Sequence, residues 1–345
     1  MQSNFLLKMK LLSFFTKLLH FLPSEFAHTL ALNSLKMAYS LGLIKIFNFK
    51  QNRSNIDQSA FTDSKDIFKK YSNKVGFAAG LDKNGDYIDC LASLGVGFIE
   101  IGTITPKPQP GNTKPRLFRD KKSLALVNRM GFNNKGINHL LKKLEERKSK
   151  IPLGISIGKN FDTSNEEAYK DYLTCLDAVY PFADYIAVNI SSPNTKNLRD
   201  LSEKENLDFL LKKIKNRQIE LSIDTKYRPI FLKLSPDESE DQLISICNSI
   251  KTFKVDGVIC TNTSTQLNNK YGSGGVSGKP LGKVSSRVIR SVREYVGDDL
   301  PIIASGGVMN KEDYQEKLDS GADLVQIYSG FIYAGPSLIS DILKI

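Results

Sequence analysis

At 345 residues, 41% of them hydrophobic, the chain can form one large core of roughly 250 residues plus an appendage. Four scattered cysteines (Cys90, Cys175, Cys247, Cys260) without a C-x-x-C spacing, and only three histidines (His20, His28, His139), argue against a disulfide framework and a metal site and for free buried thiols in a reducing compartment. The net charge of +11 fits nucleic acid, anionic lipid or a basic proteome equally, but six of those charges fall in residues 1–53, where Glu25 is the lone acid.

Phe5 to Leu22 is rich in Leu and Phe but interrupted by Lys8, Lys10, Lys17 and His20. It is too broken for a spanning helix, which needs about 20 mainly apolar residues. No convincing cleavage site follows, so it does not read as a secretory signal. Ser24 is placed as an N-cap for a second helix over Glu25 to Leu41, with Gly42 as its stop. Two short amphipathic helices with a basic excess suit a membrane surface, and equally a lid packed on the core. A mitochondrial presequence is the third reading, against which stands the lack of Arg before Arg53. Asn48 to Ser64 reads as a linker, and Ile67 to Phe77 as a hairpin plugging the underside of the core. The expected division is 1–44 helical module, 45–73 linker and hairpin, 74–345 main domain.

From Lys74 onward, apolar runs alternate with helical stretches. The runs are Val75–Gly80, Phe98–Ile104, Leu153–Gly158, Tyr185–Ser191, Pro229–Ser235, Gly257–Thr263, Pro301–Gly307 and Leu324–Gly330. Eight such strands predict an α/β fold, a closed (β/α)8 TIM barrel with the N-terminal two-helix module attached. Groups at strand C-terminal ends then build the site.

Strand one runs into Gly80-Leu81-Asp82-Lys83, which puts a cation at the rim. The long loop after strand two holds Asn128-Arg129-Met130-Gly131-Phe132-Asn133-Asn134, whose amides and guanidinium suit a planar, anionic ligand. Asn133 and Asn134 are expected to cap a helix near Lys135. Strand four places Asn189 and Ser191 on one face, with Ser192 on the turn before Pro193. No histidine lies near Ser192 in sequence, so it is not a hydrolase nucleophile. Lys233, between Leu232 and Leu234, is a lysine inside a strand, costly to bury unless it meets a negative charge, and reads as a Schiff-base former or a partner for an electron-rich cofactor. Gly306-Gly307 and Tyr328-Ser329-Gly330 end strands seven and eight, where barrels often hold phosphate. Taken singly, most of these have ordinary explanations as solvated lysines or turn formers.

Together they resemble the class 2, quinone-linked dihydroorotate dehydrogenases. The matching stretches are Gly76-Phe77-Ala78-Ala79-Gly80-Leu81-Asp82-Lys83, Ile99-Glu100-Ile101-Gly102-Thr103 and Pro115-Arg116-Leu117-Phe118-Arg119, followed by Asn128-Arg129-Met130-Gly131-Phe132-Asn133 and Asn189-Ile190-Ser191-Ser192-Pro193-Asn194-Thr195. Thr261-Asn262-Thr263, Gly274-Gly275-Val276-Ser277-Gly278-Lys279-Pro280-Leu281 and Val325-Gln326-Ile327-Tyr328-Ser329-Gly330 complete the set. The resemblance implies FMN at the barrel mouth, oxidation of dihydroorotate to orotate in pyrimidine synthesis, and electron transfer to a membrane quinone.

By the same resemblance Ser192 is the base for the C5 proton, with Thr195 or a water as the proton path. Lys83, Asn128, Arg129, Met130, Gly131, Phe132, Asn189, Asn194, Asn262 and Thr263 surround the substrate. Ala79, Gly80, Leu81, Asp82, Lys83, Thr103, Asn189, Lys233, Thr261, Gly278, Gly307, Tyr328 and Ser329 surround FMN. Ser156 stands where the family usually has Asn, and its shorter hydroxyl is expected to reach the flavin only through water. His28, Arg119 and Tyr328 line the quinone tunnel, which tilts the N-terminal module toward a membrane. No metal and no nucleic-acid partner is expected. The expected setting is a monomer bound peripherally to anionic lipid, on the cytoplasmic face of a bacterial inner membrane or on the mitochondrial inner membrane in a eukaryote. The rival reading is an FMN barrel of dihydrouridine-synthase type acting on RNA, which would carry a catalytic cysteine in another loop and a C-terminal helical domain. A second rival is a decayed barrel that only docks on membranes.

Overall fold

A computed structural model describes residues 15–44, 68 and 71–343. Eight parallel strands close the barrel: β1 (Val75–Phe77), β2 (Phe98–Ile104), β5 (Leu153–Ile157), β6 (Tyr185–Asn189), β7 (Ile230–Leu234), β8 (Gly257–Cys260), β10 (Ile302–Ser305) and β11 (Leu324–Ile327), with β11 pairing back to β1. All eight apolar runs are barrel strands, and most stop short of the run's end because the last residues turn into rim loops. A second sheet is antiparallel and runs β3 (Leu117–Asp120), β4 (Ala125–Asn128), β9 (Gly275–Gly278). The long loop after β2 therefore contains a hairpin, completed by a strand from the loop after β8.

The helices are α1 (Ser24–Ser40), α2 (Ile88–Ala92), α3 (Ile137–Glu146), α4 (Ala168–Val179), α5 (Lys204–Asp224), α6 (Glu240–Thr252), α7 (Gly282–Val296), α8 (Lys311–Asp319), α9 (Ser329–Ala334) and α10 (Ser337–Leu343). Among the described residues no helix is long and apolar enough to cross a membrane.

Strand periodicity divides the core in two. Outward residues such as Ile186, Val188, Leu232 and Leu234 pack under the helices. Inward residues Phe98, Tyr185, Phe231, Ile259, Ile303 and Leu324 fill the barrel bottom, joined by Phe68 and Tyr71 from below. Large rings fit because glycine stands opposite: a Cβ at Gly154 would run into the Tyr185 ring, and one at Gly257 into the Phe231 ring. The bottom is thus sealed, and the open end of the barrel is left for ligand.

Three local expectations change. Phe68 and Tyr71 do plug the barrel, but Val75–Phe77 is no hairpin arm. Those residues find ladder partners in β2 and β11, and 67, 69 and 70 lie outside the described residues. Ser24 is the first residue of α1 and makes no capping bond. Pro23 holds the cap position, and its carbonyl accepts from Ala27 N. Asn133 and Asn134 cap no helix. α3 begins at Ile137 after Gly136, while buried Asn134 bonds Thr105 and the Phe132 carbonyl inside the loop. Of the expected helix over Phe5 to Leu22, residues 15–19 are helical. Its start, and the linker over 45–67, lie outside the described residues.

Candidate active site

The strand ends converge on a cavity at the barrel mouth with about 1060 Å³ of atom-free space. Above the sealed bottom its floor is a buried polar layer. Lys233 Nζ lies 3.3 Å from Glu100 Oε1. The other carboxylate oxygen accepts from Tyr185 Oη at 2.9 Å and from Gln326 Nε2 at 2.7 Å. Glu100 is fully buried and is the negative partner that Lys233 required. Removing either member would strand a buried charge, which typically costs about 3–5 kcal/mol. Sequence reading passed over Glu100, although an acid inside an apolar strand carries the same signal as a lysine there.

Above the floor, polar groups are chained together. Asn189 Nδ2 donates to Thr103 Oγ1 at 2.8 Å, and Thr103 Oγ1 pairs with Ser156 Oγ at 2.9 Å. Asn262 Nδ2 donates to Asn189 Oδ1 at 3.2 Å and to Ser191 Oγ at 3.1 Å, so Asn189 and Ser191 do share a face. Asn194 Nδ2 donates to Asn128 Oδ1 at 2.9 Å. Ser192 Oγ accepts the Asn194 N–H at 3.3 Å, and the side chain is buried. Thr195 Oγ1 in the same loop, and Thr263 Oγ1 and Gln326 Oε1 in the cavity wall, are buried without a partner among the described residues. Lys83 Nζ donates to the Gly80 carbonyl at 2.9 Å. Burial pushes its pKa down to about 8, with Glu25 of α1 pulling the other way.

The structure brings most of the expected residues together. Lys83, Asn128, Met130, Gly131, Phe132, Asn189, Ser192, Asn194, Asn262 and Thr263 line this cavity, as do Ala79, Gly80, Thr103, Lys233, Thr261, Gly307, Tyr328 and Ser329. Phe132 holds a left-handed backbone, φ +51°. Such a conformation costs about 1–3 kcal/mol and persists only where neighbours enforce it; here Asn134 and Gln109 bond the carbonyls of Phe132 and Gly131.

Five expected residues stand elsewhere. The Arg129 guanidinium is committed to Ser273, the Tyr271 carbonyl and the Phe118 ring, away from the cavity. The Asp82 carboxylate accepts the N–H groups of Asn84, Asp86 and Tyr87, which shapes the Lys83 loop. Burial lifts its pKa to about 6. Ser156 is fully buried behind Thr103. Gly278 ends β9 pressed against the Leu124 carbonyl. Leu81 faces a second cavity.

That second cavity lies under α1. Leu19, Leu22, Leu30, Ala31, Leu35, Phe331 and Ile332 make most of its wall apolar, and His28, Arg119 and Tyr328 all line it. Leu117 of β3, Leu126 of β4 and Tyr328 border both cavities. The small sheet is therefore a thin partition between the barrel mouth and the space under α1. His28 is neutral: burial and the nearby Lys83 push its pKa down to about 3, against a hydrogen bond it makes to the Leu81 backbone, which raises it. Arg119 NH1 donates to the His20 carbonyl at 3.2 Å, and its Nε is buried with no partner among the described residues. Glu25 ties α1 to the barrel through Arg116 at 2.8 Å.

Sequence reading also missed Arg199. It follows the Ser192 loop, in the single helical turn Leu198–Ser202. Its Nε donates to the Ser191 carbonyl at 3.2 Å and NH2 to the Thr263 carbonyl at 3.0 Å, while NH1 meets Asp237 at 2.9 Å. One guanidinium thus staples the loops after β6 and β8. The sequence holds no local signal for the staple, because two of its partners, Asp237 and Thr263, lie 38 and 64 positions away.

The family profile described as dihydroorotate dehydrogenase matches residues 64–345. A Methylobacillus flagellatus protein named dihydroorotate dehydrogenase (quinone) is 47% identical over 330 residues, covering 94% of this chain and 96% of that one. A Shewanella protein of the same name is 45% identical over 335 residues, covering 95% and 96%. The crystal structure of the Eimeria tenella DHODH in complex with ferulenol superposes with a TM-score of 0.81 at 31% identity, over 93% of this chain and 89% of that one. With the barrel closed, its mouth lined as the motifs require and the match running nearly end to end, the chain belongs to the dihydroorotate dehydrogenase family.

Proposed function

We propose that the protein oxidises dihydroorotate to orotate at the barrel mouth and passes the electrons to a membrane quinone that enters under α1. The observation that carries this is the pair of cavities, one rich in polar groups and one mostly apolar, that share Leu117, Leu126 and Tyr328 as common wall.

The residues present fit FMN. The mouth cavity runs from Lys83 and Asn128 to Gly306 and Gly307, with orphaned Gln326 Oε1 and Thr263 Oγ1 in its wall and a buried cation in its floor. Ala79, Gly80, Thr103, Asn189, Lys233, Thr261, Gly307, Tyr328 and Ser329 would hold it. When bound, FMN supplies the acceptor for the hydride from C6 of the substrate. Ser192 Oγ takes the C5 proton, and Thr195, unpartnered in the same loop, is its route out. Lys83 meets the substrate carboxylate, and Asn128, Asn194, Asn262 and Thr263 read the pyrimidine edge through amide and hydroxyl groups. Met130, Gly131 and Phe132 cover the site and keep bulk water from the weakly basic serine. Ser156 supports Thr103 from behind.

In the second cavity Arg119 Nε, unpartnered among the described residues, is the donor for a quinone carbonyl. Phe21, Phe26, Met37 and Leu41, all more than half exposed, are the apolar face that meets lipid. Basic residues of the N-terminal segment favour an anionic surface, so the protein sits peripherally, as a monomer, on the cytoplasmic face of a bacterial inner membrane. The match over residues 64–345 leaves the dihydrouridine-synthase alternative without an observation in its favour.

The purified protein should show a flavin absorbance spectrum that dihydroorotate bleaches and a ubiquinone analogue restores. NAD or fumarate restoring the colour as fast as quinone would overturn the quinone assignment.

Arg199→Met should lower kcat by roughly 10–10²-fold, the scale of a small misplacement of reacting groups. KM should move little, and added guanidinium should restore part of the rate. Equal losses in kcat and in flavin content, with no rescue, would make Arg199 a folding residue only.

A further inference from the structure

Lys317 of α8 is fully buried. Its Nζ donates to the Gly282 carbonyl at 2.6 Å, Ser285 Oγ at 2.6 Å and Ser286 Oγ at 2.7 Å. All three acceptors are uncharged, and among the described residues no ion pair within 4.0 Å reaches Lys317. A buried ammonium without a counter-ion is costly. Its position makes the cost larger. Gly282, Ser285 and Ser286 form the first turn of α7, the positive end of a 15-residue helix that carries no acid in that turn. Two positive fields are stacked at one point.

That point lies behind the glycine end of the mouth cavity. Ser285 Oγ also donates to the Gly306 carbonyl at 2.9 Å. Gly307, with φ +82°, lies so close to Gly282 that a Cβ there would strike the Gly282 backbone. Gly306, Gly307, Ser277 and Ser329 line this end of the cavity, and the last two are hydrogen-bonded to each other at 2.9 Å. Lys317 is therefore one shared hydroxyl removed from the loop, buried where solvent cannot neutralise it.

We propose that Lys317 is a concealed positioning residue for a phosphate monoester dianion, making the glycine end of the cavity select the phosphorylated flavin over the unphosphorylated one. It touches no ligand. It acts by holding Gly282, Ser285 and the Gly306 carbonyl in place and by adding its charge to the α7 terminus. The anion in turn compensates the buried ammonium. The inference rests on the FMN reading.

The charged surroundings agree. From α8 itself, Asp313 and Glu316 act on the group at longer range, and Arg290 of α7 opposes them. Of the other elements packed on α8, β11 carries no ionisable residue and α10 only the exposed Asp341. Burial holds Lys317 down to about 8. A dianion arriving nearby therefore draws a proton onto it above that pH.

The test measures dissociation constants of the apo-protein for FMN and for riboflavin by quenching of flavin fluorescence. In Lys317→Met, FMN affinity should fall roughly tenfold or more, on the scale of a buried charge-assisted interaction, while riboflavin affinity stays within about twofold. A second readout needs no variant. Calorimetry of wild type near pH 8.5, in buffers of different ionisation enthalpy, should report more proton uptake with FMN than with riboflavin. Lys83, a cavity-lining lysine also held near 8, faces the substrate end and responds to both flavins alike. An unchanged FMN-to-riboflavin ratio, or equal proton uptake with both, overturns the proposal alone. Wild type that binds neither flavin overturns the cofactor reading, and this inference with it.

Discussion

Ser192→Ala should lower dihydroorotate oxidation by about 10²–10⁴-fold, the usual contribution of a positioned general base, while FMN stays bound. The serine is placed by its neighbours: the Asn194 N–H donates to its Oγ, Asn112 Nδ2 holds the Asn194 carbonyl at 3.0 Å, and Arg199 holds the Ser191 carbonyl. Only the first of these contacts uses the hydroxyl; the other two hold the loop by its carbonyls, so alanine should preserve the fold. No histidine or cysteine is among the residues lining the cavity, so nothing stands ready to replace the base. Lys83 has a pKa drawn toward neutrality, but in the proposed site it is the carboxylate's partner. Stopped-flow absorbance should show flavin that dithionite reduces normally and dihydroorotate reduces very slowly. A variant reduced at half the normal rate or faster would place the base elsewhere.

Removing residues 1–44 should split the two half-reactions. No described residue before Ala78 lines the mouth cavity, so flavin binding and reduction by dihydroorotate should persist. The second cavity loses the α1 side of its wall, His28 included, together with the exposed Phe21, Phe26 and Leu41. Reoxidation by a quinone analogue should slow by about tenfold or more, as expected when an apolar binding wall and its side chains are lost. Co-sedimentation with anionic liposomes should fall as well. The cut also breaks the buried-side contact of Arg116 with Glu25, so the truncated barrel should be less stable. Quinone kinetics and sedimentation equal to the full chain would mean that α1 is only a lid.

How much was legible differs by element. The strands were readable because each is a local pattern: an apolar run whose inward and outward residues alternate within a few positions. The rim was readable because a barrel puts functional groups at those runs' ends, which is where Lys83, Asn189, Ser192, Asn262 and Tyr328 stand. Arg129 was not readable. It sits among cavity residues in sequence, yet the hairpin of β3 and β4 turns it outward onto Tyr271 and Phe118. Asp82 likewise sits beside Lys83 but spends its carboxylate on three backbone N–H groups.

By itself the sequence determined the eight-strand order, the side of the barrel that carries chemistry, and the need of Lys233 for a negative partner. These follow from periodicity and from the cost of burying charge, both properties of short segments. Only the tertiary structure decided which acid answers Lys233, 133 positions away. It alone brought Arg199 across two loops, set Lys317 behind the glycine turn, and joined β9 to the β3–β4 hairpin as a partition between two cavities. Hydrogen bonds and ion pairs depend on distance in space, and closing a barrel brings together residues that nothing in their local sequence marks as neighbours.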